Sequence, residues 1–210
     1  MNKKTSNEIL SLLKEIIKNP KPELNFNNNY ELIVSVILSA QTTDKRVNEI
    51  TPNLFLKYKD YNSLALANIN DVIQIIKPLW MSNIKGKNII NMAKEVIELY
   101  DGILPNDIDS LTKLSGVGRK TASVVLALGF NIPSFPVDTH LIRMANVFKY
   151  VKNETNPIVI EASYKKYINK EDWILAHHLF LLFGRYHCKA IKPLCDGCKL
   201  NKYCTKKDYS

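Results

Sequence analysis

Glycine and proline are scarce in this chain, seven and nine among 210 residues, and cysteine is absent before Cys188. So few helix breakers exclude collagen-like and Gly/Pro-rich disordered classes and leave long stretches free to form regular structure. No unit of solenoid length repeats and no segment is low-complexity, so stacked-repeat architectures are excluded too. The longest apolar run, around Leu179 to Phe183, is interrupted by His177, His178 and Arg185, well short of the roughly 20 residues that span a bilayer. Met1 to Ser11 is polar and charged, without the apolar core or cleavage site of a secretory signal, so a cytoplasmic location and no membrane partner are expected.

What is present reads as globular and helical. Apolar residues make up 46% of the chain, enough to form a core in one large or two small domains. They recur with helical rather than alternating spacing. In residues 5–18, Ile9, Leu10, Leu12, Leu13, Ile16 and Ile17 share one face, and Asn19-Pro20-Lys21-Pro22 ends the segment. Further helices are predicted over 30–40, 44–58, 71–77, 85–100, 108–114, 119–128, 138–148, 157–168 and 171–185. The stretch Asn131-Ile132-Pro133-Ser134-Phe135-Pro136 breaks two of them and marks an internal boundary stiffened by its prolines.

Acidic residues are outnumbered, 20 against 29 basic ones, for a formal net charge of +9. Such a balance suits a polyanionic partner. The excess is uneven: residues 184–210 carry Arg185, Lys189, Lys192, Lys199, Lys202, Lys206 and Lys207 against Asp196 and Asp208. That end reads as a phosphate-facing surface, with a solubilising tail as the alternative that charge alone leaves equally open.

The same segment holds every cysteine, with Cys188, Cys195, Cys198 and Cys204 separated by six, two and five residues. Cytoplasmic chains keep few disulfides, which favours a metal or cluster. Structural zinc sites commonly use two close Cys pairs or a Cys pair with a His pair, and only one close pair is present here. Four thiolates suit zinc or iron-sulfur, and donor chemistry leaves the two comparable. A zinc deaminase is excluded because none of His140, His177, His178 and His187 begins a His-x-Glu motif.

Leu114-Ser115-Gly116-Val117-Gly118-Arg119-Lys120 joins two helical segments. Glycines at alternate positions admit left-handed backbone angles and close approach of another backbone. A turn feeding a helix N-terminus also points unpaired N–H groups at any phosphate docked there. On the glycines alone, a ligand-free turn carries equal weight. Lys120 is a potential nucleophile once it sheds a proton, which the electropositive helix start and adjacent Arg119 favour. Contact with a phosphate is its ordinary alternative, and the favoured one without Asp138. Asp138, after Pro136, reads as a helix N-cap, which is compatible with a catalytic role.

Leu-Ser-Gly-Val-Gly-Arg-Lys-Thr-Ala from Leu114 to Ala122, followed by Val137-Asp138-Thr139-His140, resembles the helix-hairpin-helix DNA glycosylases. The lysine places the resemblance with the endonuclease III family, and it extends from about Glu31 to Cys204. It implies an all-α fold of two lobes: a six-helix barrel domain with the hairpin over 22–132, and a helical iron-sulfur cluster domain from 1–21 plus 133–210. It further implies a monomeric enzyme that flips a damaged base out of double-stranded DNA containing oxidised pyrimidines or abasic sites. Lys120 is then the nucleophile, Asp138 its partner across the cleft, and cleavage 3′ to the abasic site proceeds by β-elimination from an imine.

The cysteine spacing matches the family's [4Fe-4S] loop, so Cys188, Cys195, Cys198 and Cys204 are the expected ligands. Lys189 and Lys192 within that loop, with Gly116, Gly118 and Arg119, are expected to meet the DNA backbone. Leu38-Ser39-Ala40-Gln41-Thr42-Thr43-Asp44 matches the segment whose glutamine enters the gap left by the flipped nucleotide, with Ser39 and Asp44 lining the lesion pocket. Taken alone, Asp44 is more simply a helix cap and Gln41 merely exposed. Val36 stands where related adenine glycosylases carry a catalytic glutamate, and 8-oxoguanine glycosylases generally lack the cysteine loop.

The second intercalating loop departs from the family pattern of glycine, apolar wedge and aromatic. Met81 keeps the wedge, but Trp80 replaces the glycine and Ser82 the aromatic. A Trp80 buried for packing alone weighs as much as a functional one. The competing functional readings are a non-catalytic helix-hairpin-helix DNA-binding protein and a structural zinc protein with an incidental hairpin.

Overall fold

The computed structural model describes residues 1–205. Lys206, Lys207 and Asp208 of the basic C-terminal segment lie outside the described residues. Every regular element among the described residues is helical. In order they are α1 (Lys3–Ile16), α2 (Asn29–Leu38), α3 (Asp44–Lys57), α4 (Tyr61–Ala65), α5 (Ile69–Ile76), α6 (Ser82–Tyr100), α7 (Ile108–Leu111), α8 (Arg119–Phe130), α9 (Thr139–Val147), α10 (Pro157–Tyr167) and α11 (Trp173–Leu182). A 3-10 turn, Lys170–Asp172, leads into α11, a π-helical turn, Phe183–His187, follows it, and a last 3-10 turn spans Asn201–Tyr203. No helix among the described residues is long and apolar enough to cross a membrane.

Most helix starts are written into the sequence as short polar side chains that accept the orphan N–H groups of the first turn. Asn2, Asn28, Thr43, Asp60, Asn68, Asp107, Asp138 and Asn156 all do so. Two predicted segments differ from expectation. The one over 108–114 contains a helix of a single turn, because Lys113 and Leu114 continue with tighter bonds to Ser110 and Leu111 rather than the α pattern. The one over 171–185 is α-helical only from Trp173 to Leu182, its ends tightening and widening into the flanking turns. Residues 61–65 form a helix that periodicity does not reveal, since five residues make little more than one turn. A reciprocal capping box between Asp60 and Ser63 starts it.

The chain divides into two compact units. One is Pro22–Ile132, whose core gathers around α2, with Leu32, Ile33, Val34, Ile37 and Leu38 buried on all sides of the helix. The other combines Met1–Lys21 with the chain from Pro133 onward. Its core joins Ile9, Leu10 and Leu13 of α1 to Phe135, Leu141, Met144, Tyr164, Phe180 and Phe183. Helix α1, remote in sequence, is fastened there by polar contacts as well: Tyr203 donates to Glu8 at 2.5 Å, and Lys199 pairs with Glu15 at 2.7 Å. The hydroxyls of Ser6 and Tyr150, both buried, bond at 2.6 Å.

That buried hydroxyl pair gives a stability test. Tyr150→Phe strands the Ser6 hydroxyl in a dry site and is expected to cost about 1–3 kcal/mol. The double variant Ser6→Ala/Tyr150→Phe, which removes both partners, should recover part of the loss. Urea denaturation of the four proteins of this cycle measures it, and strict additivity would mean the hydroxyls do not interact.

Candidate active site and nucleic-acid interface

In the Pro22–Ile132 unit, the turn between α7 and α8 is anchored from below by the buried side chains of Leu114 and Val117 and closed by the Val117 N–H on the Leu114 carbonyl at 3.0 Å. Glu95 of α6 grips it by accepting both the backbone N–H and the hydroxyl of Ser115, each at 2.6 Å. Gly116 has φ +78°, and a Cβ there would lie 2.9 Å from Asn88 Cβ, so the left-handed angle and the close approach both require glycine.

Gly118 behaves differently from expectation. Its φ is −85°, an ordinary extended angle, and it serves as the N-cap of α8 with no side chain to cap the helix. Nothing lies within 4 Å of where its Cβ would be. The glycine therefore puts no side chain over the start of α8, where a phosphate could approach. Arg119 and Lys120, the first two residues of α8, are both exposed there.

Two further loops of this unit belong with the predicted DNA-facing set. Gln41 is exposed with φ +54°, an uncommon angle for a non-glycine residue. Ser39 donates its hydroxyl to the Val36 carbonyl at 2.9 Å, so that hydroxyl is turned back on α2. Thr43, rather than Asp44, caps α3, and Asp44 is its half-buried first residue. At the start of α6, Met81 also takes a left-handed angle, φ +59°. Trp80 is 67% exposed, Met81 43% and Ile84 51%, so Trp80 is not a packing residue in this structure.

Sequence reasoning missed Lys85. It is 4% exposed, and its ammonium donates to the Leu38 carbonyl and the Thr42 hydroxyl, each at 2.8 Å. Burial pushes its pKa below the usual lysine value. The signal was available: Lys85 occupies the apolar-face spacing of α6 with Ile89, Met92, Ala93 and Val96, all buried. A lysine on that stripe must find polar partners inside.

In the other unit, Asp138 is half-buried and caps α9, its Oδ1 accepting the N–H groups of His140 and Leu141 at 2.9 and 3.0 Å. Behind it Phe135, Pro136 and Val137 are buried. The Tyr164 hydroxyl donates to the Leu141 carbonyl at 3.1 Å. Burial, with lesser help from the negative charges of Tyr150 and Asp138, holds that phenol well above its usual pKa. One turn further along α9, the Arg143 guanidinium donates to the carbonyls of Gly184 at 2.6 Å and Cys188 at 3.0 and 3.1 Å.

Cys188 opens the loop that carries the other cysteines, and none of the four is in a disulfide. The loop turns through Lys192 at φ +53° and Gly197 at φ +68° and is closed by the Cys198 N–H on the Cys195 carbonyl at 3.1 Å. Cys188, Cys198 and Cys204 pack at the edge of the core, Cys195 is exposed, and buried Leu200 pins the return. Lys189 and Lys192 are exposed between the first two cysteines. Among the described residues no three His, Cys, Asp or Glu side chains converge as a preformed metal site. The donor set itself fits a tetrathiolate group: four unbridged cysteines within one loop, with a glycine at positive φ inside the close pair. Binding would draw such ligands together, since these sites form with their metal.

Residues 34–170 match the family model described as HhH-GPD superfamily base excision DNA repair protein. Endonuclease III of Bacillus subtilis (strain 168) is 38% identical, over 97% of this chain and 93% of the relative. Endonuclease III of Escherichia coli (strain K12) is 36% identical, over 99% and 98%. The solved structure of a trapped endonuclease III–DNA covalent intermediate superposes with a TM-score of 0.93 at 35% identity, covering 98% of this chain and 96% of that one. A thermostable thymine-DNA glycosylase, TM-score 0.83 at 22% identity and 96% coverage of each chain, shares the fold. With near-complete coverage in sequence and in structure, this chain belongs to the endonuclease III family of the HhH-GPD superfamily of base excision DNA repair proteins.

Proposed function

We propose that this chain is a bifunctional DNA glycosylase and abasic-site lyase of base excision repair, removing oxidised pyrimidines from duplex DNA and cleaving 3′ to the resulting site. The observation that carries the reading is the exposed Lys120 at the second position of α8, directly after a hairpin turn whose helix start has no side-chain cap. A phosphate docked at the start of α8 would bring the sugar backbone to that amine.

The neutral amine of Lys120 attacks C1′ of the deoxyribose, and the C1′–N bond breaks with its electron pair leaving on the base, which takes up a proton. The ring opens to an imine between Lys120 and C1′. Loss of a proton from C2′ then expels the 3′ phosphate by β-elimination, and water returns the free amine. Asp138 supplies the negative charge that stabilises positive charge developing at C1′, and its carboxylate is the base that takes up the proton Lys120 gives up. Its Oδ1 is held on α9 by the two cap bonds. Gln41 and Met81 fill the space vacated by the flipped nucleotide, Ser39 and Asp44 border the lesion pocket, and Gly116, Gly118 and Arg119 meet the backbone phosphates.

Cys188, Cys195, Cys198 and Cys204 would hold a [4Fe-4S] cluster, which when bound supplies a structural cross-link for the loop. Lys189 and Lys192 then face phosphates from a fixed backbone. The reaction asks for no second copy of the chain, so the working form is a monomer, acting in the cytoplasm.

Borohydride should trap a covalent adduct between the protein and duplex DNA carrying an abasic site, because the amine route passes through a reducible imine. Lys120→Gln should abolish the adduct, and full-yield trapping by that variant would move the nucleophile elsewhere. Asp138→Asn should fold and bind DNA, since asparagine caps a helix about as well as aspartate, yet react slowly in single turnover. A wild-type rate would leave Asp138 a cap and nothing more.

The cysteine loop separates into two roles. Lys189→Ala/Lys192→Ala should weaken binding to all duplexes alike and flatten the dependence of log K on log salt by about 0.9 for each lost phosphate contact. Cys198→Ala should instead lose iron, read by metal analysis, and lower the melting temperature, because binding free energy of a structural cluster is also folding free energy. An unchanged salt slope in the two-lysine variant would turn those side chains toward solvent.

A further inference from the structure

We propose that Lys85 is the positioning residue that makes the Gln41 and Met81 loops a single prearranged wedge. The inference rests on the DNA-repair reading above, which gives those loops their task. Lys85 touches both loops at once: its backbone N–H bonds to the Met81 carbonyl at 3.0 Å, and its ammonium reaches the Thr42 hydroxyl, next to Gln41, at 2.8 Å. The second ammonium bond, to Leu38 at 2.8 Å, ends on the last carbonyl of α2, at the negative end of that helix.

Two features show that this is more than packing. The loops it joins each turn on a non-glycine residue in the left-handed region, Gln41 at φ +54° and Met81 at φ +59°. Such angles persist when surrounding bonds over-determine them. A buried ammonium is also costly where an apolar side chain would fill the same space. Its neighbours Ile89, Met92 and Ala93 on the same face are apolar and buried. What the amine provides and a methionine does not is a directed bond from α6 to the strained loop beside α2. With it in place, the glutamine and the methionine reach the duplex with their spacing set in advance, and that ordering cost is not met during base flipping.

Lys85→Met keeps the length and the apolar stem and removes the donors, and Lys85→Arg restores charge and donors. Three readouts separate positioning from chemistry and from folding: single-turnover excision of an oxidised pyrimidine from duplex DNA, fluorescence of 2-aminopurine opposite an abasic-site analogue, and borohydride trapping on a single-stranded abasic oligonucleotide, which has no partner strand to wedge apart. Lys85→Met should trap single-stranded abasic DNA at the wild-type yield, lose duplex excision by about 10- to 100-fold, and lose the 2-aminopurine enhancement. Lys85→Arg should recover both duplex signals. Wild-type duplex rates and fluorescence in Lys85→Met would overturn the proposal, as would an equal loss on single-stranded and duplex DNA. Failure of the wild-type protein to trap either DNA would instead overturn the functional reading on which the proposal rests.

Discussion

Glu95 holds Ser115 by two hydrogen bonds of 2.6 Å, and from the same face of α6 Asn88 packs beneath Gly116 while Lys85 reaches Leu38 and Thr42. The hairpin turn and the Gln41 loop therefore hang from one helix, and the Met81 loop is that helix's own start. The helix can serve as a reference because its apolar stripe, Ile89, Met92, Ala93 and Val96, is locked in the core. Interiors are packed too densely for such a stripe to slide. Groups meant to meet a ligand with small tolerance are best carried on rigid elements, and here three loops acquire that rigidity from one.

The distribution of helix caps follows the same division of labour. Short helices leave many end groups to satisfy, and asparagine, aspartate and threonine do so at eight starts. Among α-helices of eight or more described residues, α6, α8 and α11 start without a side-chain cap. For α11 the preceding 3-10 turn already occupies that end. The other two are the starts that carry Met81 and Lys120. Going without a side-chain cap costs about 1 kcal/mol relative to a good one, and the two starts that do so are those beside the loops proposed to meet DNA.

Much of this was legible in the sequence because helices of ten or more residues repeat their apolar positions several times and announce their starts. Asp138 after Pro136 read correctly as a cap, and Gly116 read correctly as a left-handed turn residue. The failures have physical causes. Helix α4 is shorter than two periods. Gly118 looks like a conformational glycine, but its φ of −85° shows that it matters for the absence of a side chain. Asp44 is a good capping residue preceded by an equally good one, and hydrogen bonding to Arg46 selects Thr43. Lys85 carries a charge yet lies inside, in register with buried Ile89 and Met92. Trp80, for which packing and function read equally from the sequence, is 67% exposed, next to the left-handed Met81.

Asp138 shows how one carboxylate can serve the fold and the proposed chemistry without compromise. A cap requires a small acceptor in extended conformation, and Asp138 has it, with φ −119° and ψ −176°. Electrostatic catalysis requires a negative charge whose position is fixed before the reaction, because a group that must reorient loses in reorganisation what it gains in attraction. The N–H groups of His140 and Leu141 fix Oδ1 at 2.9 and 3.0 Å. Buried Phe135, Pro136 and Val137 immobilise the approach to the helix. The cap is therefore compatible with the proposed catalytic role: the same bonds that start α9 hold the carboxylate in place, and an asparagine there would keep the helix while giving up the charge.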